Sequence, residues 1–235
     1  MKRLVVFGLW LWSVGASCFA SSVEFTVGNS NVQFSLVGNS TLQVTLTNNL
    51  MTATSASDVL TGVYFTSQPN LAPVSASVNS VQNLLNCPTC TNASVDIGAE
   101  WAYQSSVSGI LPATNVNLLG AADFGTLGLN DRFGTNNVYG SAGVGGIDFG
   151  IVGGLSSGQS GLTGSPLISR QAIFVFDAPN GFNVNSIGSV GFLYGYTSFG
   201  GYYGTLDDTA PEPQTWLLAG IGLATLGWIR RKRAV

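Results

Sequence analysis

Apolar and polar residues alternate along the chain from residue 22 onward. Every second position is apolar in Val23–Val27, Val32–Leu36 and Leu42–Leu46, and the turn residues Gly28-Asn29 and Gly38-Asn39 separate these segments. A period of two is typical of antiparallel strands that bury one face. Further strands are predicted at Val59–Phe65, Ile147–Val152, Ile173–Phe176 and Val190–Tyr196.

The rest of the central region lacks the pattern of a helix. Residues 120–164 are rich in glycine, asparagine and serine, so we expect long loops between short strands there. A single turn is expected near Val81–Leu85. The pattern therefore predicts an all-β domain over residues 21–205, an antiparallel β-sandwich, with a jelly roll as one form that it could take.

The first twenty residues have the three parts of a signal peptide. Two basic residues, Lys2-Arg3, precede the apolar run Leu4–Trp12, and small residues follow up to Ala20. This arrangement is typical of a secretory signal and predicts cleavage before Ser21. Lipidation of Cys18 is the weaker alternative, because Gly15 stands where a lipobox needs a large aliphatic residue.

The last thirty residues predict a stalk followed by a membrane helix. Pro211-Glu212-Pro213 precedes an uncharged apolar run that ends at Ile229. A helix over residues 214–229 is short for a bilayer core about 30 Å thick, but flanking basic side chains can extend its reach. Residues 230–233 should stay in the cytoplasm as a stop signal, and they are Arg230, Arg231, Lys232 and Arg233.

This tail, with its Pro-Glu-Pro motif, apolar helix and terminal arginines, resembles the PEP-CTERM sorting signal. The resemblance covers residues 211–235. It implies a Gram-negative host that makes extracellular polysaccharide, and processing by exosortase near Pro211, Glu212 and Pro213. The implied partners are exosortase, the secretion machinery, the membrane and extracellular polysaccharide. The mature protein would be released to, or attached at, the cell surface.

The charge distribution makes nucleic acid an unsuitable partner. Between residues 21 and 213 only Arg132 and Arg170 oppose all eleven acidic residues, which gives this region a net charge of −9. Such a region cannot neutralise many phosphates. Cations, neutral sugars and basic surfaces are more suitable partners.

Cys87 and Cys90 form a Cys-Pro-Thr-Cys pair, for which a structural disulfide is expected in an exported protein. A redox-active site is the alternative. It needs the cysteine pair at the start of a helix, but in this sequence polar residues follow the pair. A zinc site would need two further ligands, and the chain contains no histidine.

The absence of histidine also removes Ser-His-Asp and Cys-His catalysis, so we expect no enzyme. A glycosidase remains an alternative because it needs only two carboxylates, which Glu100 could supply with Glu24 or an aspartate. The plainer interpretation of Glu100 is a strand residue that faces solvent. No cofactor is expected. Calcium stays open for the acids of the loops, for which loop capping is the other explanation: Asp123, Asp131, Asp148, Asp207 and Asp208.

Aromatic residues cluster with glycines near the end of the domain, and they could stack on sugar rings or pack as a core strand: Tyr194, Tyr196, Phe199, Tyr202 and Tyr203. Three further segments, Asp58–Phe65, Glu100–Tyr103 and Phe124–Gly150, resemble a subset of proteins with the same sorting signal. That resemblance implies a shared β-domain and no mechanism.

These observations together predict an exported, non-catalytic protein with a structural or adhesive role at the cell surface or in a biofilm matrix. A carbohydrate-binding module, calcium-dependent or not, is the first alternative. A secreted glycan-active enzyme is the second.

Overall fold

A computed structural model describes residues 21–66, 71–87, 90, 96–107, 116–121, 131–134, 147–155, 162 and 164–195. The predicted signal peptide, membrane helix and basic tail lie outside these residues. Across the described ranges, no helix has the length and apolar character that a membrane span requires.

The described residues form twelve β-strands and three single-turn 3₁₀ helices. The 3₁₀ helices are Ala56–Asp58, Val81–Asn83 and Val184–Ser186. The strands are β1 Ser22–Val27, β2 Ser30–Val37, β3 Thr41–Asn48, β4 Leu60–Thr66, β5 Ala72–Ser77, β6 Leu84–Leu85, β7 Ala102–Val107, β8 Val116–Gly120, β9 Ile151–Val152, β10 Leu167–Ser169, β11 Gln171–Asp177 and β12 Gly188–Tyr194.

The first sheet has the strand order β1-β2-β3-β11-β5, and all its pairs are antiparallel. Val32 and Phe34 of β2 are buried, while Gln33 between them is half-buried. The alternation in the sequence therefore marks which face of this sheet points into the core. β1, β2 and β3 follow one another along the chain as an antiparallel meander.

The second sheet has the order β6-β10-β9-β4-β8-β7, and β12 pairs with β4 on the side away from β8. β9 and β10 are parallel, so the prediction of a wholly antiparallel sandwich was wrong at this point. Every residue of β4 from Leu60 to Phe65 is buried. A strand that is buried on both faces reads as a continuous apolar run rather than an alternating one.

The two sheets face each other across an aromatic core. Phe34 of β2 meets Phe65 of β4 with ring centroids 4.9 Å apart. Tyr103 of β7 meets Phe176 of β11 at 4.8 Å. Edge-to-face contacts of this kind add to the hydrophobic effect of burying the rings. The prediction of an all-β sandwich is confirmed in this architecture.

Most predicted strands are confirmed, but the segment Ile147–Val152 is a strand only at Ile151–Val152. Ile147 begins a turn in which Gly150 N donates to the Ile147 carbonyl at 2.9 Å. Phe149 adopts a φ of 58° there, and its side chain is fully buried. Apolar side chains at alternate positions thus enter the core from a turn instead of a strand.

Candidate functional site

The predicted sorting residues lie outside the described part of the structure. They are Pro211, Glu212, Pro213, Arg230, Arg231, Lys232 and Arg233.

Cys87 and Cys90 form a disulfide, as predicted. Their Cα atoms are 5.3 Å apart, and the Cys90 amide donates to the Cys87 carbonyl at 3.1 Å, which closes a tight turn. Both cysteines pack against the main core. Asn86, directly before the turn, donates from its side-chain amide to the carbonyls of Leu162 at 2.9 Å and Ser165 at 3.2 Å. The disulfide therefore fixes a surface turn that is also tied to a distant loop.

Glu100 does not face solvent from a strand, as the plainer interpretation had it. It is only 8% exposed and lies in a turn, where its amide donates to the Ile97 carbonyl at 2.9 Å. The next residue, Trp101, is fully buried and donates from Nε1 to the Phe149 carbonyl at 3.1 Å. Trp101 is therefore a core residue and cannot serve as an exposed platform for a sugar ring.

The fold places Glu24 and Glu100 in different parts of the sandwich. Glu24 lies on β1, at one edge of the first sheet. Glu100 precedes Trp101, whose ring packs on Phe174 of β11, three strands further across that sheet. Three strand spacings are about 14 Å, whereas paired glycosidase carboxylates are separated by about 5 to 9.5 Å.

The loop acids do not assemble into a metal site within the described ranges. No group of three or more His, Cys, Asp or Glu residues that could hold a metal ion occurs there. Asp131 and Asp148 are described, whereas Asp123, Asp207 and Asp208 lie outside the described residues. Calcium binding therefore stays a prediction.

Tyr194 is turned toward the core rather than toward solvent. Its ring packs against the main apolar cluster, and its hydroxyl shares a hydrogen bond with the Ser30 hydroxyl of the opposite sheet. Burial raises the pKa of Tyr194, and the Ser30 hydrogen bond offsets only part of that rise. The other members of the predicted aromatic cluster lie outside the described residues: Tyr196, Phe199, Tyr202 and Tyr203.

Asp58 caps the 3₁₀ helix that leads into β4. Its carboxylate accepts hydrogen bonds from the backbone amide and the hydroxyl of Thr54, both at 2.8 Å, and from the Ser55 amide at 3.0 Å. Burial alone would raise the pKa of Asp58, but these hydrogen bonds to the charged form outweigh it and lower the pKa. This acid has a structural role at the crossing between the sheets.

A surface pocket of about 250 Å³ opens beside that crossing, and we call it the Arg170 pocket. Its lining residues are Asn48, Asn49, Met51, Gly153 and Arg170.

The inner wall of the Arg170 pocket is built by Asn48, which is fully buried. Its side-chain amide donates to the carbonyls of Asp58 at 3.0 Å and Ile151 at 2.9 Å. Its Oδ1 accepts from the Leu50 amide at 3.0 Å. Asn48 thus links the first sheet to the second. It also fixes residues 49–53, which form the rim of the pocket.

Gly153 permits the close approach of two backbones at this pocket. A Cβ atom on Gly153 would lie only 1.9 Å from the Leu50 carbonyl oxygen. The Ala53 amide donates to the Gly154 carbonyl at 2.8 Å, so the rim segment runs directly along the segment after β9. Only glycine fits at position 153 in this arrangement.

Arg170 joins β10 to β11 in a left-handed conformation, with φ of 70°. Its amide donates to the Val152 carbonyl at 2.6 Å, and its carbonyl accepts from the Asn48 amide at 2.9 Å. Two backbone hydrogen bonds therefore hold a conformation that a non-glycine residue rarely adopts.

Sequence reasoning missed the Arg170 pocket because its residues come from three separate segments of the chain. One signal was present in the sequence: Arg170 is one of only two basic residues between positions 21 and 213. An isolated base in such an acidic region could have marked the position, although not its neighbours.

Comparison with known proteins identifies the tail of the chain. No curated protein and no solved structure gave a significant match. The family model of the PEP-CTERM protein-sorting motif matches residues 209–232. The match indicates an exported protein that exosortase processes. The chain is therefore a PEP-CTERM domain-containing protein, with its sorting motif at residues 209–232.

Proposed function

We propose that the mature protein is a non-catalytic structural or adhesive component of the cell surface or of an extracellular polysaccharide matrix. The observation that carries this proposal is the sorting motif at residues 209–232, which follows a β-domain on the same chain. Exosortase processing would deliver that domain to the outside of the cell. There it would act through its folded surface rather than through a reaction.

The membrane topology in this proposal follows from the two ends of the chain. The signal peptide carries residues 21–205 across the inner membrane of a Gram-negative cell. The helix at 214–229 holds the protein there, since the basic residues 230–233 remain inside. Exosortase then acts near Pro211-Glu212-Pro213, where the prolines keep the chain extended at the membrane surface.

The non-catalytic part of the proposal is supported by how the polar groups are used. Glu100 lies beside a buried tryptophan, and the carboxylate of Asp58 is bonded to the backbone and hydroxyls of its own loop. Cys87 and Cys90 are joined to each other in a disulfide that packs against the main core. Each of these groups has a structural use in the sandwich.

Processing can be tested by fractionating host cells with and without exosortase and by measuring the intact mass of the protein. We expect the mature mass to correspond to cuts near Ser21 and near the Pro-Glu-Pro motif. Changing Pro211, Glu212 and Pro213 together to alanine should leave the uncut precursor in the membrane. A full-length cytoplasmic pool in wild-type cells would contradict export.

The non-catalytic role can be tested by incubating purified mature protein with polysaccharide from the same cells. We expect the polysaccharide to keep its chain length, and the protein to sediment with the matrix. Progressive shortening of the polysaccharide that stops on Glu100→Gln would instead establish the glycan-active enzyme.

A further inference from the structure

We propose that the Arg170 pocket binds an acidic sugar, a hexuronic acid residue, whose carboxylate is held by Arg170. This inference rests on the proposed function, which would place the protein outside the cell, where it would meet such a sugar. It goes further by naming a site and the chemical class of its ligand.

The charge of Arg170 is left available for a ligand. Two bases oppose eleven acids between residues 21 and 213, yet no described residue forms an ion pair or hydrogen bond with the Arg170 guanidinium. A guanidinium offers a planar pair of donors that matches a carboxylate or a phosphate group. Of these two groups a carboxylate is the better ligand here, because the net charge of −9 between residues 21 and 213 repels a doubly charged phosphate more strongly than a singly charged carboxylate.

The position of Arg170 is fixed before any ligand arrives. Backbone hydrogen bonds to Val152 and Asn48 hold the residue in a left-handed conformation that most side chains avoid. Strained residues of this kind persist only where the surrounding structure determines them, and they occur often at binding sites. A side chain on a fixed backbone loses less freedom when it binds.

The other lining residues suit a sugar ring. Asn49 is exposed, and its amide can both donate to and accept from hydroxyl groups. Met51 is 89% exposed and offers an apolar, adaptable surface for the carbon face of a ring. Pockets for drug-sized ligands have volumes of about 300 to 1,000 Å³, so a pocket of about 250 Å³ suits one ring rather than several.

Met51 also provides a direct probe of the pocket. The chain contains two methionines, and Met1 is removed with the signal peptide, so the mature protein keeps Met51 alone. Mature protein carrying ¹³C-methyl methionine should therefore show one methionine methyl signal in NMR. We expect that signal to shift on titration with glucuronate and to stay in place with glucose.

Two variants with the same change in net charge separate site binding from general electrostatics. Arg170→Asn removes the guanidinium, and asparagine tolerates a positive φ. Gln43→Glu changes the net charge by the same amount on β3, about five residues or 17 Å from Asn48. We expect Arg170→Asn to weaken glucuronate binding about tenfold or more, and Gln43→Glu to leave it unchanged within about twofold.

Further titrations identify the source of the carboxylate. An oligogalacturonate that binds more tightly than the monosaccharide would identify a polysaccharide chain as the ligand, and equal binding would identify the single residue. Acetate or inorganic phosphate binding as tightly as glucuronate would overturn the assignment to a sugar acid.

The inference is also wrong if glucuronate leaves the Met51 signal unmoved far above millimolar concentration, or if Arg170→Asn binds as well as wild type. Neither result would touch the proposed function, which fails separately if the protein does not reach the cell surface.

Discussion

Replacing Asn48 with alanine should destabilise the domain, because one buried side chain supplies three hydrogen bonds at the crossing between the sheets. The carbonyls of Asp58 and Ile151 would lose their donor, and the Leu50 amide would lose its acceptor. A buried polar group without a partner costs about 1 to 3 kcal/mol. The lower figure applies here, since water in the adjacent Arg170 pocket can reach part of the site, and three such groups give about 3 kcal/mol.

Tryptophan fluorescence can measure this loss of stability. Trp101 is the only tryptophan between residues 21 and 213, and it is fully buried in the core. Its fluorescence in a urea titration therefore reports the free energy of unfolding of this domain. For a domain of 150 to 250 residues, a loss of about 3 kcal/mol corresponds to a decrease in Tm of about 6 to 12 °C.

Asn49→Ala is the matched control for this measurement. Asn49 is the next residue along the chain and is exposed. Its replacement should change stability by less than about 0.5 kcal/mol. The reasoning is refuted if Asn48→Ala costs under about 1 kcal/mol, or no more than Asn49→Ala.

Three further changes have definite expected outcomes. Gly191→Ala should cost about 1 to 3 kcal/mol, because the added Cβ would lie 1.9 Å from the Tyr64 hydroxyl oxygen on the paired strand. Replacing Cys87 and Cys90 together with serine should cost about 2 kcal/mol, the loop-closure entropy of a four-residue loop, as measured by urea unfolding. Asp58→Asn should destabilise at neutral pH and have little effect at low pH. Because folding lowers the pKa of Asp58 below its ordinary 3.8, its stabilisation is present above that value and lost as the pH falls through the folded-state pKa.

Each of these predictions has its own check. Gly164→Ala is the control for Gly191, since nothing lies within 4 Å of a Cβ at that position, and equal losses for the two glycines would contradict the steric argument. The cysteine variant should behave like the wild type in reductant, and a residual difference would point to packing instead. For Asp58, an effect that grows toward acid pH would reverse the expected sign.

The strands that sequence analysis found and missed differ in their burial. β1, β2 and β3 bury one face, so their alternation could be predicted. β5 was missed because Ala72–Ser77 consists mostly of small residues, and it is a strand only through its pairing with β11. β10 has three residues, too few for any period to show, and it forms through its pairing with β6 and β9.

The disulfide could be predicted from the sequence, but the Arg170 pocket could not, because the residues of the pocket lie far apart along the chain. Cys87 and Cys90 are three residues apart, so their pairing is a local matter. Asn48, Gly153 and Arg170 meet only because β3 pairs with β11 and β10 pairs with β9. A pocket formed by such pairings requires the tertiary fold before its residues can be grouped.

Stability and ligand binding should respond differently to salt, because they rest on different kinds of group. Two polar contacts between the sheets come from neutral side chains, namely the amide of Asn48 to Ile151 and the hydroxyl pair of Tyr194 and Ser30. Salt screens exposed charges but has little effect on buried neutral hydrogen bonds. The proposed carboxylate site depends instead on the exposed charge of Arg170. Raising sodium chloride from about 0.15 to 1 M, which shortens the Debye length from about 8 to 3 Å, should therefore weaken glucuronate binding several-fold. The urea midpoint should stay nearly constant, because at 0.15 M the repulsion among the acids of this region is already largely screened. Binding that is insensitive to salt would mean that the arginine is not the anchor, since no other described lining residue of the pocket carries a charge.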